Sequence, residues 1–60
     1  MNSEKVYICK FLNKKYPVSE FKDYESAKRF VESVRESCMI YSPTGKEIGA
    51  YMGRKWVMIH

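Results

Sequence analysis

Few residues in this chain can carry chemistry. It has one histidine, His60, two cysteines, Cys9 and Cys38, and only three glycines and two prolines. Catalysis needs convergent groups with matched pKa values. A single histidine at the end of the chain, with no base beside either cysteine, supplies no such set. Cys9 and Cys38 lie inside apolar runs, are not spaced C-x-x-C and have no histidine cluster around them. They read as small buried thiols, not as a bridge, a nucleophile or metal ligands. Gly45-Lys46 resembles the end of a phosphate-binding loop, but Ile40 stands where its first glycine belongs and Glu47 where Ser or Thr would hold magnesium. Gly49 and Gly53 lack the third glycine and the strand–helix setting of a dinucleotide fingerprint. The expectation is a non-enzyme with no catalytic residues, no metal and no cofactor.

Long hydrophobic runs are missing too. No apolar stretch approaches the roughly 20 residues that span a bilayer, and residues 1–5 lack the apolar segment of a signal peptide. A soluble, cytoplasmic protein with no membrane partner is expected.

What remains is an ordinary globular composition: 45% hydrophobic, 15% aromatic and 30% charged, with net charge +4. Sixty residues make one domain, 1–60, with no room for a second core. Without disulfides or metal such a core supplies only a few kcal/mol of net stability, so self-association is a natural way to bury more surface.

Residues 6–12 are rich in β-branched and aromatic types and predict a strand. Asn13-Lys14-Lys15 is a polar turn. Residues 16–21 predict a second strand, confined by Pro17 to an edge. Asp23 is a good N-cap, and Tyr24, Ala27, Phe30, Val31, Val34 and Cys38 then recur at helical spacing. On the other face Glu25 with Arg29 and Lys28 with Glu32 are i,i+4 pairs. An amphipathic helix over 24–37 follows. Residues 38–41 predict a strand, Ser42-Pro43-Thr44-Gly45 a turn, and residues 46–52 the returning strand. Gly53-Arg54 fits a two-residue turn with glycine first, and residues 55–60 predict the last strand. The fold class is α+β: a single antiparallel sheet of four to five short strands with one amphipathic helix on one face, β-(β)-α-β-β-β.

Strand alternation assigns the faces. Tyr7, Cys9, Phe11, Ile40, Ile48, Ala50, Met52, Val57 and Ile59 are expected beneath the helix. The opposite face then carries Val6, Ile8, Lys10, Leu12, Met39, Tyr41, Gly49, Tyr51, Trp56 and Met58. It is too apolar for exposure to water, since wetting it forfeits several kcal/mol at roughly 25 cal/mol per Å². Contiguous apolar patches mark interaction sites. The expected partner-binding residues are Tyr41, Tyr51, Trp56, Met58, Met39 and Ile8, used for a protein target or for a homodimer. The plainer reading is that the N-terminal arm or a kinked edge strand folds over this face.

Counting chain reversals puts Lys14, Lys15, Arg35, Arg54 and Lys55 at one end of the sheet. These five form a candidate contact for an anion or an acidic partner. Nucleic acid is the alternative partner. The fit to RNA-recognition domains is poor, because they need two helices in a βαββαβ chain, and the helix here has balanced charge, not a basic stripe.

The segment Asp23-Tyr24-Glu25-Ser26-Ala27-Lys28-Arg29-Phe30-Val31, followed by Ile40-Tyr41-Ser42-Pro43-Thr44-Gly45-Lys46, resembles the helix-then-hairpin pattern of short bacterial and phage proteins of uncharacterised families. It covers about half the chain. Short proteins of this type without a catalytic set also look like phage-encoded inhibitors. The resemblance implies a viral protein of host takeover or anti-defence that covers a functional surface of a host enzyme or defence protein, often as a homodimer.

Overall fold

The computed structural model describes residues 5–59. Five strands and one helix follow in the order β1 (Tyr7–Phe11), β2 (Ser19–Phe21), α1 (Tyr24–Val34), β3 (Cys38–Tyr41), β4 (Glu47–Met52) and β5 (Lys55–Ile59). All strand pairs are antiparallel and the sheet order is β2-β1-β3-β4-β5. This is the α+β layout expected from the residues. The thinnest dimension is 16 Å, room for one sheet and one helix. Among the described residues no helix is long and apolar enough to cross a membrane.

Each element starts and stops for a local reason. Asn13 closes the first turn: its side chain accepts from the Lys15 amide at 2.9 Å and its carbonyl from the Tyr16 amide at 3.1 Å. Pro17, which has no amide hydrogen to donate, delays β2 to Ser19, so the second strand is shorter than residues 16–21. Asp23 caps the helix, its carboxylate accepting from the Ser26 amide at 2.8 Å. The helix ends at Val34, before residue 37, because Arg35 turns left-handed at φ 64° while its amide still donates to the Val31 carbonyl. Ser42 organises the β3–β4 turn, its carbonyl accepting from the Gly45 amide at 2.8 Å. Gly45 takes φ 90° there, a conformation that glycine enters without a Cβ clash. The last turn differs from the expected form. Gly53 and Arg54 both have positive φ, 61° and 64°, which makes it a I′ turn and not one with only its first residue left-handed.

Asp23 yields a pH prediction. Its hydrogen bonds from Ser26 hold the carboxyl below its ordinary value of 3.8. A group with a depressed folded-state pKa contributes its stability above the unfolded value and loses it as pH falls through the folded one. Asp23→Ala should therefore lower Tm at pH 7. The gap to the parent should close as thermal melts are repeated down to about pH 2. A gap of unchanged size in acid would mean that the cap acts without its charge.

The core lies between α1 and the sheet. Cys9, Ala27, Val31, Cys38 and Ile40 are fully buried, and Tyr51 is nearly so. Aromatic rings flank them. Tyr7 stacks on Tyr24, Phe30 meets Phe11 edge-on, and Phe21 lies against Phe30.

Candidate interface on the open sheet face

Directly opposed residues of an antiparallel pair share a face, so the register assigns the face of each paired strand position. Cys9 faces Ile40, Phe11 faces Cys38, Cys38 faces Tyr51 and Ile40 faces Gly49. These residues lie on the helix side. The open side is built of rows: Glu20–Ile8–Tyr41–Glu47, then Lys10–Met39–Ala50–Met58, and finally Met52–Lys55. Four of the six expected partner-binding residues, Ile8, Met39, Tyr41 and Met58, therefore share one surface.

Tyr51 and Trp56 do not. Both sit under the helix: Tyr51 is 6% exposed, and Trp56 packs against the core. Their rings meet edge-on at 4.9 Å. The Trp56 Nε1–H donates to the Glu32 carboxylate of α1 at 2.7 Å. Glu32 thus joins the helix to β5 instead of pairing with Lys28, whose ammonium lies 4.0 Å from Glu25 and over the Tyr24 ring.

Two irregularities cause the exchange of faces. The β3–β4 register shifts after Ile40, leaving Ile48 as an extra residue, and the β4–β5 register shifts after Ala50, leaving Val57 as another. Each β-bulge resets the alternation by one. Ile48 still packs on the core, but Gly49 and Tyr51 follow it inward. Ala50 and Met52, expected inside, reach the open face. On β5 the same effect turns Trp56 inward. Ile59 takes the helix side opposite Gly49, yet it is 49% exposed, and Val57 is 54% exposed. Gly49 is needed at this crossing. A Cβ there would lie 3.0 Å from the Tyr24 hydroxyl, which donates to the Ile48 carbonyl, and 3.6 Å from the Trp56 ring.

The open face is apolar at its centre. Ile8, Met39, Tyr41, Met52 and Met58 are half-buried on the same face as Ala50, which is 5% exposed. Lys10 lies 6.0 Å from the Tyr41 ring centroid. No second helix lies on this side among the described residues. The N-terminal arm, residues 1–4, lies outside them, as does His60.

The basic end follows from the strand directions. Lys14 and Lys15, Arg35, and Arg54 with Lys55 all fall at the end of the sheet where β1 finishes and β5 begins. The two turns are three strand spacings apart, about 14 Å at 4.8 Å per strand, so the charge forms a rim and not a pocket. The two non-glycine residues with positive φ among the described ones, Arg35 and Arg54, both stand on this rim. For a residue with a Cβ that conformation costs roughly 1–2 kcal/mol.

Cys9 and Cys38 lie diagonally across β1 and β3, both fully buried. The neighbouring Cys9 thiol and burial push the Cys38 thiol well above its ordinary value. Among the described residues no group of three or more His, Cys, Asp or Glu side chains converges as metal ligands.

No protein-family model, no curated protein and no solved structure matches this chain.

Proposed function

We propose that this chain is a non-enzymatic protein-binding module, a phage-type inhibitor or regulator of a host or defence protein, acting in the cytoplasm as a homodimer. The open sheet face carries the reading: five half-buried apolar side chains, Ile8, Met39, Tyr41, Met52 and Met58, share it with Ala50, and among the described residues no helix lies over them. Met and Tyr are enriched at interface centres because they bury large area, Met adaptably and Tyr with few rotamers to lose. The charge around the patch supports a protein partner that offers apolar anchors and carboxylates. Lys10 and Lys55 lie on the face itself, and the rim of Lys14, Lys15, Arg35 and Arg54 borders one end. Such a rim speeds encounter with an acidic surface more than it tightens the final complex.

The left-handed Arg35 and Arg54 favour one second reading, a small nucleic-acid-binding regulator. Two guanidinium groups are kept at backbone positions where glycine would sit more easily, and a basic rim also suits phosphates.

One experiment separates the two. The immobilised chain, its Met39→Glu variant and a Lys14→Glu/Lys15→Glu variant are exposed to extract from the infected or producing cell, with and without nuclease. Protein binding predicts a discrete protein retained after nuclease treatment and lost with Met39→Glu. Nucleic-acid binding predicts retained nucleic acid, lost with the Lys14→Glu/Lys15→Glu variant and falling steeply with salt. Retention unaffected by Met39→Glu would remove the open face from the function.

A further inference from the structure

The two edges of the sheet are built differently. β2, at one edge, is three residues long, follows Pro17 and carries Glu20. Short length, charge, proline and bulges are the ordinary defences of an edge strand against pairing. β5, at the other edge, runs five residues with one charge, Lys55, at its start and one bulge, at Val57, but with neither proline nor the shortness of β2. Trp56, Val57, Met58 and Ile59 follow. Val57 and Ile59 are 54% and 49% exposed, two of the four large apolar side chains most open to water among the described residues. An outer row of backbone N–H and C=O groups lies beside them with no strand to pair with in the described residues.

We propose that β5 pairs antiparallel with β5 of a second copy about a twofold axis at Met58, joining two five-stranded sheets into one of ten. Side-chain alternation selects this axis. Met58 lies on the open face opposite Ala50, while Trp56 and Ile59 lie on the helix side opposite Tyr51 and Gly49. An axis at Val57 would oppose Trp56 to Met58, side chains of opposite faces, which the pleat forbids. The axis at Met58 sets Met58 against its own copy on the open face and Val57 against Ile59 of the second copy. Both exposed side chains are then covered. The two Lys55 side chains fall six residues apart along the joined strands, about 20 Å at 3.3 Å per residue, so no like charges are opposed. The row Lys10–Met39–Ala50–Met58 continues through the axis into its mate, doubling the width of the open face. The pairing names the second copy invoked by the proposed function and rests on that reading for its purpose, while the edge geometry stands apart from it.

Light scattering on the full chain tests the pairing. At about 100 µM the parent should have twice the 7.1 kDa mass of one chain. Val57→Lys and Ile59→Lys replace exposed side chains, so each should stay folded by circular dichroism. Each should raise the dimer dissociation constant at least about tenfold. Met58→Cys should cross-link to itself when oxidised glutathione accepts the two electrons and two protons of the thiols. Met52→Cys, on the same face but away from the axis, should not. A monomeric parent at that concentration overturns the pairing and leaves the open face to the extract experiment. A dimer that survives both lysine variants but is dissolved by Met39→Glu also overturns it, while supporting self-association through the open face. Failure of Met58→Cys to cross-link in a dimer that both lysine variants dissolve overturns the axis.

Discussion

Tyr51→Ala should lower the unfolding free energy by about 3–5 kcal/mol, the usual cost of removing a large buried aromatic side chain. A domain of this size has roughly 3–9 kcal/mol in all, at 0.05–0.15 kcal/mol per residue, so the variant should lose at least about a third of its stability. Tyr51 is 6% exposed, pairs across the sheet with the fully buried Cys38 and meets Trp56 edge-on. Removing its ring leaves a cavity beneath the helix and frees Trp56 from its neighbour. Urea titration followed by the fluorescence of Trp56, the sole tryptophan, measures the loss. Met58→Ala, made on the open face, is the comparison and should cost much less. A near-neutral Tyr51→Ala would mean that this ring lies outside the core, as the alternation of β4 alone would have it.

Ile40→Ala should cost about 2–5 kcal/mol. Ile40 is fully buried at the centre of the sheet, paired with Cys9 on one side and with Gly49 on the other. Gly49 has no side chain with which to fill the space. The neighbouring thiols provide a sensitive readout. Cys9 and Cys38 are fully buried, and Cys38 is held neutral by its partner thiol and by burial, so a thiol reagent reaches them only when the molecule opens. At 1.4 kcal/mol per decade, a loss of 2–5 kcal/mol speeds labelling by about thirtyfold or more. Labelling of the parent as fast as in denaturant would show the pair to be accessible. An unchanged rate in Ile40→Ala would place Ile40 outside the structure that protects them.

These two substitutions also mark where reading along the chain works and where it stops. The capped helix, the Pro-Gly turn and the apolar first strand are local matters. Asp23 finds its partner three residues on and Ser42 finds its partners within four. Because β2 does form, the count of chain reversals that gathers Lys14, Lys15, Arg35, Arg54 and Lys55 at one end agrees with the observed strand directions. Faces are another matter. An alternating segment such as Glu47–Met52 is consistent with either parity, and the choice depends on what lies across the sheet. Alternation alone places Tyr51 and Trp56 outside for that reason.

From composition and short-range pattern came the class of fold, the order of its elements and the surplus of apolar surface that one helix leaves uncovered. Hydrophobic periodicity and turn chemistry act over a few neighbouring residues and are written there in full. Which aromatic rings fill the core and which apolar side chains line the open face was settled by two bulges, at Ile48 and Val57. They answer to contacts 24 residues away in the chain: the Tyr24 hydroxyl on the Ile48 carbonyl, and Glu32 on the Trp56 indole. An extra residue in a strand costs nothing that its own neighbours register. It reverses every side chain beyond it, and only packing against the helix selects where it falls.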